Sequence, residues 1–246
     1  MSLFETGLFC GHCMNQPCSC DKESPYISIY FDMEFTGLHK YTTPISIGCV
    51  SESGATFYAE FIDYEKTQVD DWIKENVLSN LKFNYEEDYS ANTKTYCNYN
   101  VEMCSTSDNI SRELLKWLKM EHIMSGNSSE KIEPKKIMMC SDCLAYDWML
   151  FNDLICKDGQ ALNLPNFIYY IPMDLSTLMW SVGIDPDINR EIFLGSEGRK
   201  IQIEWSNNHS NGDDTVIPKH NSLWDAIVIK ASFEKIISGM RATIID

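Results

Sequence analysis

The chain has 246 residues and a net charge of −16, from 20 basic and 36 acidic side chains. This acidic excess argues against a general nucleic-acid binder, which usually has a basic face, but it is compatible with an enzyme whose carboxylates hold cations. With 44% hydrophobic residues, the chain can form one large folded domain with a core of its own. No stretch approaches the about 20 apolar residues of a membrane helix.

The first 25 residues form a cysteine-rich segment that differs from the rest of the chain. No apolar run follows a basic start, so we expect no signal peptide. The ten cysteines of the chain then indicate a reducing, cytoplasmic setting. Four of them are a candidate zinc site, although their spacing is tighter than in a zinc ribbon and a tail with unpaired thiols is the alternative: Cys10, Cys13, Cys18 and Cys20.

Residues 26–246 are predicted to form the main domain, which begins with strands. Short β-branched and aromatic runs predict three strands, and a Glu-Ser-Gly turn between the last two favours an antiparallel meander, at 26–31, 45–50 and 55–61. Apolar residues at helical spacing, including Trp72, predict a helix over 69–81. The polar residues 82–107 are expected to be a loop insertion.

The second half of the domain alternates between helices and strands. Asp108 is a candidate N-cap for an amphipathic helix through residue 120. Strands are predicted at 136–140 and 167–171, and helices at 144–156, 174–180 and 222–238. Residues 183–218 are rich in Asn, Asp, Gly and Ser and are expected to be irregular. This order predicts an α/β fold with a mixed central sheet flanked by helices, as in a ribonuclease H-like fold.

Asp32 and Glu34 follow the apolar run of the first strand and are two residues apart. Side chains alternate along a strand, so both carboxylates point to the same face. Adjacent carboxylates repel unless a cation lies between them, and hard cations prefer oxygen ligands. The pair therefore predicts a metal site at the end of a central strand. The alternative is a solvated strand end.

The segment from Phe31 to Leu38 (FDMEFTGL) resembles the first motif of the DEDDh 3′–5′ exonucleases, particularly the oligoribonuclease-like members. The following segments PISIG, FYAEF and WIKENVL resemble more closely the mycobacterial-type 3′–5′ exoribonucleases of the RNase AS type. The resemblance covers roughly residues 26–81, 136–156 and 218–238. It implies the ribonuclease H-like fold and a 3′–5′ exonuclease activity.

The family also has an Asp that opens a helix after an aromatic residue, and Asp147 in AYDW matches that setting. Asp142 is the rival, and its alternative role is to cap the same helix. His220 and Asp225 complete the set with the spacing of a His five residues before an Asp. The alternative for His220 is an ordinary loop histidine.

The resemblance implies a division of roles among these residues. Asp32, Glu34, Asp147 and Asp225 would bind two divalent cations, Mg²⁺ or Mn²⁺ rather than Zn²⁺ because all the ligands are oxygens. His220 would act as the general base. Substrate contacts are expected from residues of the first motif, with a plain core role as the alternative for the apolar ones and as the favoured role for Met33: Met33, Phe35, Thr36 and Leu38.

The predicted function is removal of nucleoside 5′-monophosphates from the 3′ end of single-stranded nucleic acid, with RNA favoured. The resemblance also implies a homodimer and a preference for adenosine. Two alternatives stay open: a 3′–5′ DNA exonuclease of the same superfamily, and a catalytically silent nuclease-like module that binds through its cysteine-rich segment.

Overall fold

The computed structural model describes residues 24–83, 94–96, 99–126, 133–156, 163–209 and 219–245. The candidate zinc ligands Cys10, Cys13, Cys18 and Cys20 lie outside the described residues. Within the described part, no helix is both long enough and apolar enough to cross a membrane.

A seven-stranded mixed sheet forms the centre of the domain, in the order β4-β5-β3-β2-β1-β6-β7. The bounds of the strands are β1 Tyr26–Phe35, β2 Pro44–Ser51, β3 Thr56–Phe61, β4 Lys94–Tyr96, β5 Asn100–Ser105, β6 Lys136–Ser141 and β7 Met173–Asp174. The helices are α1 Asp71–Asn76, α2 Ser107–Met124, α3 Leu144–Cys156, α4 Leu175–Ser181, α5 Arg190–Leu194, α6 Ser196–His209 and α7 Ser222–Ile245.

The strand directions confirm the predicted ribonuclease H-like fold. The first three strands form an antiparallel meander, and β6 and β7 continue the sheet in parallel on the other side of β1. This places β1 near the middle of the sheet, where apolar residues alternate between two covered faces. β5 and β4 extend the sheet beyond β3, with β5 parallel to β3 and β4 antiparallel to β5.

Helices cover both faces of the sheet. Ile29, Phe31 and Met33 of β1 belong to the core cluster that includes the apolar stripes of α2 and α3. On the other face, Tyr30 packs against Phe233 of α7, with ring centroids 5.5 Å apart. A side chain of β1 therefore faces α7 if its number is even, and faces α2 and α3 if its number is odd.

Several predicted elements differ from the structure. The loop expected at 82–107 contains β4 and β5, and the irregular segment expected at 183–218 contains α5 and α6. The strand expected at 167–171 is reduced to a single bridge at Ile168, followed by β7. Thr106, not Asp108, occupies the N-cap position of α2, and Asp108 lies in its first turn. The polar composition of these segments does not predict helices or strands, because packing in the folded protein can override local propensity.

Gly48 of β2 allows α7 to lie directly on the sheet. A Cβ at this position would come within 2.3 Å of backbone atoms of Ser222 and Leu223, closer than van der Waals contact permits. Beside it, the buried hydroxyls of Ser46 and Ser222 are hydrogen-bonded at 2.9 Å. Gly48 is also the cross-strand partner of Asp32. The start of α7 is therefore held next to the end of β1.

We expect Gly48→Ala to push α7 away from β2 and to lower the free energy of unfolding by about 1–3 kcal/mol, the usual cost of overpacking. Gly239→Ala is the matched control, because a Cβ added at Gly239 of α7 meets nothing within 4 Å. This change inside a helix should leave the free energy of unfolding unchanged or raise it by at most about 1 kcal/mol. Urea unfolding of both variants measures the difference. A Gly48→Ala variant as stable as the parent would show that α7 does not depend on this close approach.

Candidate metal centre

Asp32 and Glu34 lie at the end of β1 on the face that α7 covers. The register between β1 and β2 shifts immediately after the two carboxylates, between Glu34 and Phe35, where Ile45 of β2 has no opposing residue. Such bulges are common beside functional sites, where they redirect side chains. Met33, between the two acids, points into the opposite core and is 2% exposed.

The first turn of α7 brings Asp225 to this pair. One carboxylate oxygen from each of Asp32, Glu34 and Asp225 lies within 4.8 Å of the others. The helix start is fixed by Asn221, whose side-chain oxygen accepts the backbone N–H groups of Leu223 and Trp224. The backbone N–H of His220 donates to the Asp225 carboxylate in turn. Local capping thus sets the position of Asp225 relative to β1.

Asp147 approaches Asp32 from the other side, in the first turn of α3. It is fully buried and accepts hydrogen bonds from the Ser141 hydroxyl and the Met33 backbone N–H. Asp32, Asp142 and Asp147 form a second group of carboxylates within 4.8 Å of one another. The predicted third acid therefore lies at the site, and its rival lies there as well. Asp153, on the same helix, is exposed.

The two carboxylate groups share Asp32 and contain unsatisfied oxygens. Asp32 Oδ2 and Asp147 Oδ1 are buried and have no hydrogen-bond partner. A buried charged oxygen without a partner is costly unless a cation compensates it. The donor set consists only of carboxylate oxygens, which suits Mg²⁺ or Mn²⁺ better than Zn²⁺. The residues present therefore fit divalent cations.

The pKa values of these acids are raised in the metal-free protein. Burial is the largest cause for Asp32, Asp147 and Asp225, and the neighbouring carboxylates add to it. Burial, with a contribution from Asp142, also raises the pKa of Glu34 to about 8. Perturbation of several acids in one cleft is typical of functional sites.

His220 lies at the mouth of the cleft. Its Nδ1 is 3.9 Å from Glu34 Oε1, and its ring packs edge-on against Trp72 with centroids 5.1 Å apart. Partial burial and the nearby Lys219 lower the pKa of His220 below its usual 6.5, so the imidazole is mostly neutral at neutral pH. Its backbone adopts φ +59°, a left-handed conformation that is uncommon for residues other than glycine.

The cleft around the acids has a volume of about 850 Å³. Leu38 and Trp72 line it and are largely exposed, whereas Phe35 is half-buried and stacks on Tyr146. Thr36 points away from the cleft: its hydroxyl donates to Gln68 Oε1 at 2.5 Å and its backbone N–H to Thr43 O at 3.0 Å. Of the four predicted substrate contacts, Leu38 and Phe35 are therefore best placed.

Sequence reasoning did not single out Trp72 or Arg190 as residues of the cleft. The helical spacing predicts Trp72 on the apolar stripe of its helix, but Ile73 and Val77 provide the buried side chains and Trp72 is 54% exposed. Arg190 lies in the segment that was expected to be irregular, and it donates to Asp142 at 3.2 Å. For Trp72, helical spacing of apolar residues does not distinguish a core position from one at the rim of a cleft. For Arg190, the partner Asp142 is 48 positions away in the chain, so no local pattern indicates the contact.

Comparison with known proteins finds similarity among solved structures. No protein-family profile and no curated protein matches this chain. Among solved structures, the chain is similar to the RNase domain of the yeast Pop2 protein, at 13% identity and a TM-score of 0.41. The match covers 86% of this chain and 77% of the other. The strand order and the strand directions define the fold of this chain.

The raised carboxyl pKa values predict how stability depends on pH in the absence of metal. A group whose pKa is raised by folding contributes stability that is lost as the pH rises through its folded pKa. For Glu34 this window runs from its ordinary 4.5 to about 8. We therefore expect the Tm of the protein in EDTA to fall as the pH rises across this window. Mn²⁺ or Mg²⁺ should restore the Tm at the upper end, because the cation binds only the folded state.

Differential scanning calorimetry across the window, with EDTA or with metal, measures this dependence. Asp32→Asn is the matched variant, because it removes one of the crowded charges and keeps the shape of the side chain. Its Tm in EDTA should fall less steeply. A Tm that is constant across the window, or that metal does not raise at the upper end, would contradict the site.

Proposed function

We propose that this chain is a metal-dependent 3′–5′ exoribonuclease that removes nucleoside 5′-monophosphates from the 3′ end of single-stranded RNA. The main support is the pair of carboxylate groups that share the buried Asp32 and retain unsatisfied buried oxygens, with a mostly neutral histidine beside them. The 3′–5′ direction and the preference for RNA come from the resemblance of the segment from Phe31 to Leu38. The acidic charge of the chain agrees with affinity for substrate that depends on metal.

Each acid has a role in this proposal. Asp32, Glu34 and Asp225 would hold one cation, and Asp32 and Asp147 would hold the other. When bound, divalent cations supply stabilisation of the negative charge that builds up on the reacting phosphate. The hydrogen bonds from Ser141 and the Met33 N–H keep Asp147 in one orientation. The contact between the Asp225 carboxylate and the His220 N–H does the same for Asp225.

His220 would act on the attacking water. Its neutral imidazole accepts the proton of that water while the water oxygen attacks the last phosphodiester. The bond from phosphorus to the 3′ oxygen of the preceding nucleotide breaks, and that oxygen leaves with the bonding electrons and takes a proton from solvent. Trp72 limits the rotation of the His220 ring from one side. Leu38 and Phe35 offer apolar surface for the terminal base.

His220→Ala should lower kcat by about 10²–10⁴-fold, the usual contribution of a general base. It should leave the affinity for Mn²⁺ nearly unchanged, because His220 is not proposed to be a ligand. The acidic limb of the pH profile for kcat, which we expect below pH 6.5 in the parent, should disappear in the variant. Initial rates at saturating metal and calorimetric Mn²⁺ titrations measure both effects. His39→Ala, at an exposed histidine, is the control. A large loss of Mn²⁺ affinity in His220→Ala would make His220 a ligand instead.

Matched oligonucleotides test the proposed function itself. Single-stranded RNA with a free 3′-hydroxyl should be degraded faster than DNA of the same sequence, and a 3′-phosphorylated RNA should be resistant. Discrimination requires contact with the 2′-hydroxyl. Duplexes should be poor substrates, because the acidic chain offers little basic surface for a second strand. Equal initial rates on RNA and DNA would favour the DNA exonuclease alternative. Binding of RNA without hydrolysis would favour the silent module.

A further inference from the structure

We propose that Asp142 is an additional cation ligand of the site and that Arg190 is the residue that positions it. This inference deepens the proposed function: it concerns which residues hold the second cation, beside Asp32 and Asp147.

The position of Asp142 supports this role. It lies in the short connection between β6 and α3, and one of its carboxylate oxygens is within 4.8 Å of oxygens of Asp32 and Asp147. The two partners in that group each carry a buried oxygen without a hydrogen-bond partner, Asp32 Oδ2 and Asp147 Oδ1. A cation bound between the three carboxylates would satisfy both. Asp147 alone offers little freedom for this, because Ser141 and the Met33 N–H hold its carboxylate.

Arg190 is arranged to hold Asp142 in place. Its Nε donates to Asp142 Oδ2 at 3.2 Å, while its NH1 group donates to the carbonyl oxygens of Pro186 and Ile188, both at 2.8 Å. Its NH2 group donates to Ser176 Oγ at 3.1 Å, and the Ser176 hydroxyl donates to the Asp142 backbone oxygen, also at 3.1 Å. The guanidinium is thus anchored on three sides, and both ends of Asp142 are attached to the same network.

The charges of the site agree with this arrangement. Asp142 adds a fifth carboxylate to Asp32, Glu34, Asp147 and Asp225, and Arg190 adds one positive charge. Among these six residues alone, the formal excess is four negative charges, which two divalent cations would balance. Arg190 is the partner that makes a fifth, partly buried carboxylate tolerable without adding a net negative charge. Its planar fork fixes orientation in a way that a lysine ammonium does not.

Calorimetric titration with Mn²⁺, without substrate, tests the proposal on the full chain. The parent should bind two Mn²⁺ ions. Asp142→Asn, which keeps the shape of the side chain and an oxygen for Arg190, should weaken the second binding event by about 10–100-fold and leave the first unchanged. Asp153→Asn is the matched control, because Asp153 is an exposed carboxylate on the adjoining helix α3. Circular dichroism melts of each variant verify the fold.

Arg190 is tested through a double-mutant cycle. Arg190→Gln should weaken the second event by about 10-fold, Arg190→Lys should recover only part of it, and Arg190→Gln in the Asp142→Asn background should have no further effect. Two results would overturn the proposal while leaving the proposed function intact. One is an Asp142→Asn variant that binds two Mn²⁺ ions with the affinity of the parent. The other is a double variant in which the two losses of affinity are additive. A parent that binds one Mn²⁺ ion would overturn it as well. A parent that binds none would defeat the proposed function along with it.

Discussion

The direct contact of α7 with β2 at Gly48 is the constraint on which the site depends. The acids of β1 are fixed by the sheet, but Asp225 lies in α7 and His220 in the turn before it, nearly 200 positions later in the chain. Because Gly48 has no side chain, the backbone of Ser222 and Leu223 lies directly against β2, the strand that pairs with β1 at Asp32. Carboxylates on separate elements can lie a few ångströms apart only if the helix packs directly on the sheet. A methyl group between α7 and β2 would move Asp225 away from Asp32.

Burial has a different consequence for each charged group of the cleft. The same low-polarity environment raises the pKa of the acids and lowers that of His220, so in both cases the neutral form is favoured. For the acids this is a cost that a cation removes by making the ionised form the stable one. For the histidine it is an advantage, because a neutral imidazole can accept a proton. The limited contact of the cleft with water would therefore favour both metal binding by the acids and proton acceptance by His220 in the proposed reaction.

Local sequence signals predicted the parts of the site that lie close together in the chain. Asp32 and Glu34 share a face because strands alternate, and the spacing of His220 and Asp225 places both at the start of one helix. The position of Asp147 was suggested by the resemblance and by its setting at the start of α3. The anchoring of Asp142 had no such signal, because its partner lies on α5, a five-residue helix in a polar stretch. Short helices of this kind form because they pack, which a composition dominated by Asn, Asp, Gly and Ser does not reveal.

The left-handed backbone at His220 gives independent information about why a histidine stands there. Conformations of this type cost on the order of 1–3 kcal/mol for residues other than glycine, and glycine would adopt φ +59° with no steric penalty. Backbone preference alone would therefore select against an imidazole at the entrance of α7. The chain tolerates this conformation at a residue whose ring reaches toward Glu34 and into the cleft, which agrees with the general-base role proposed for His220.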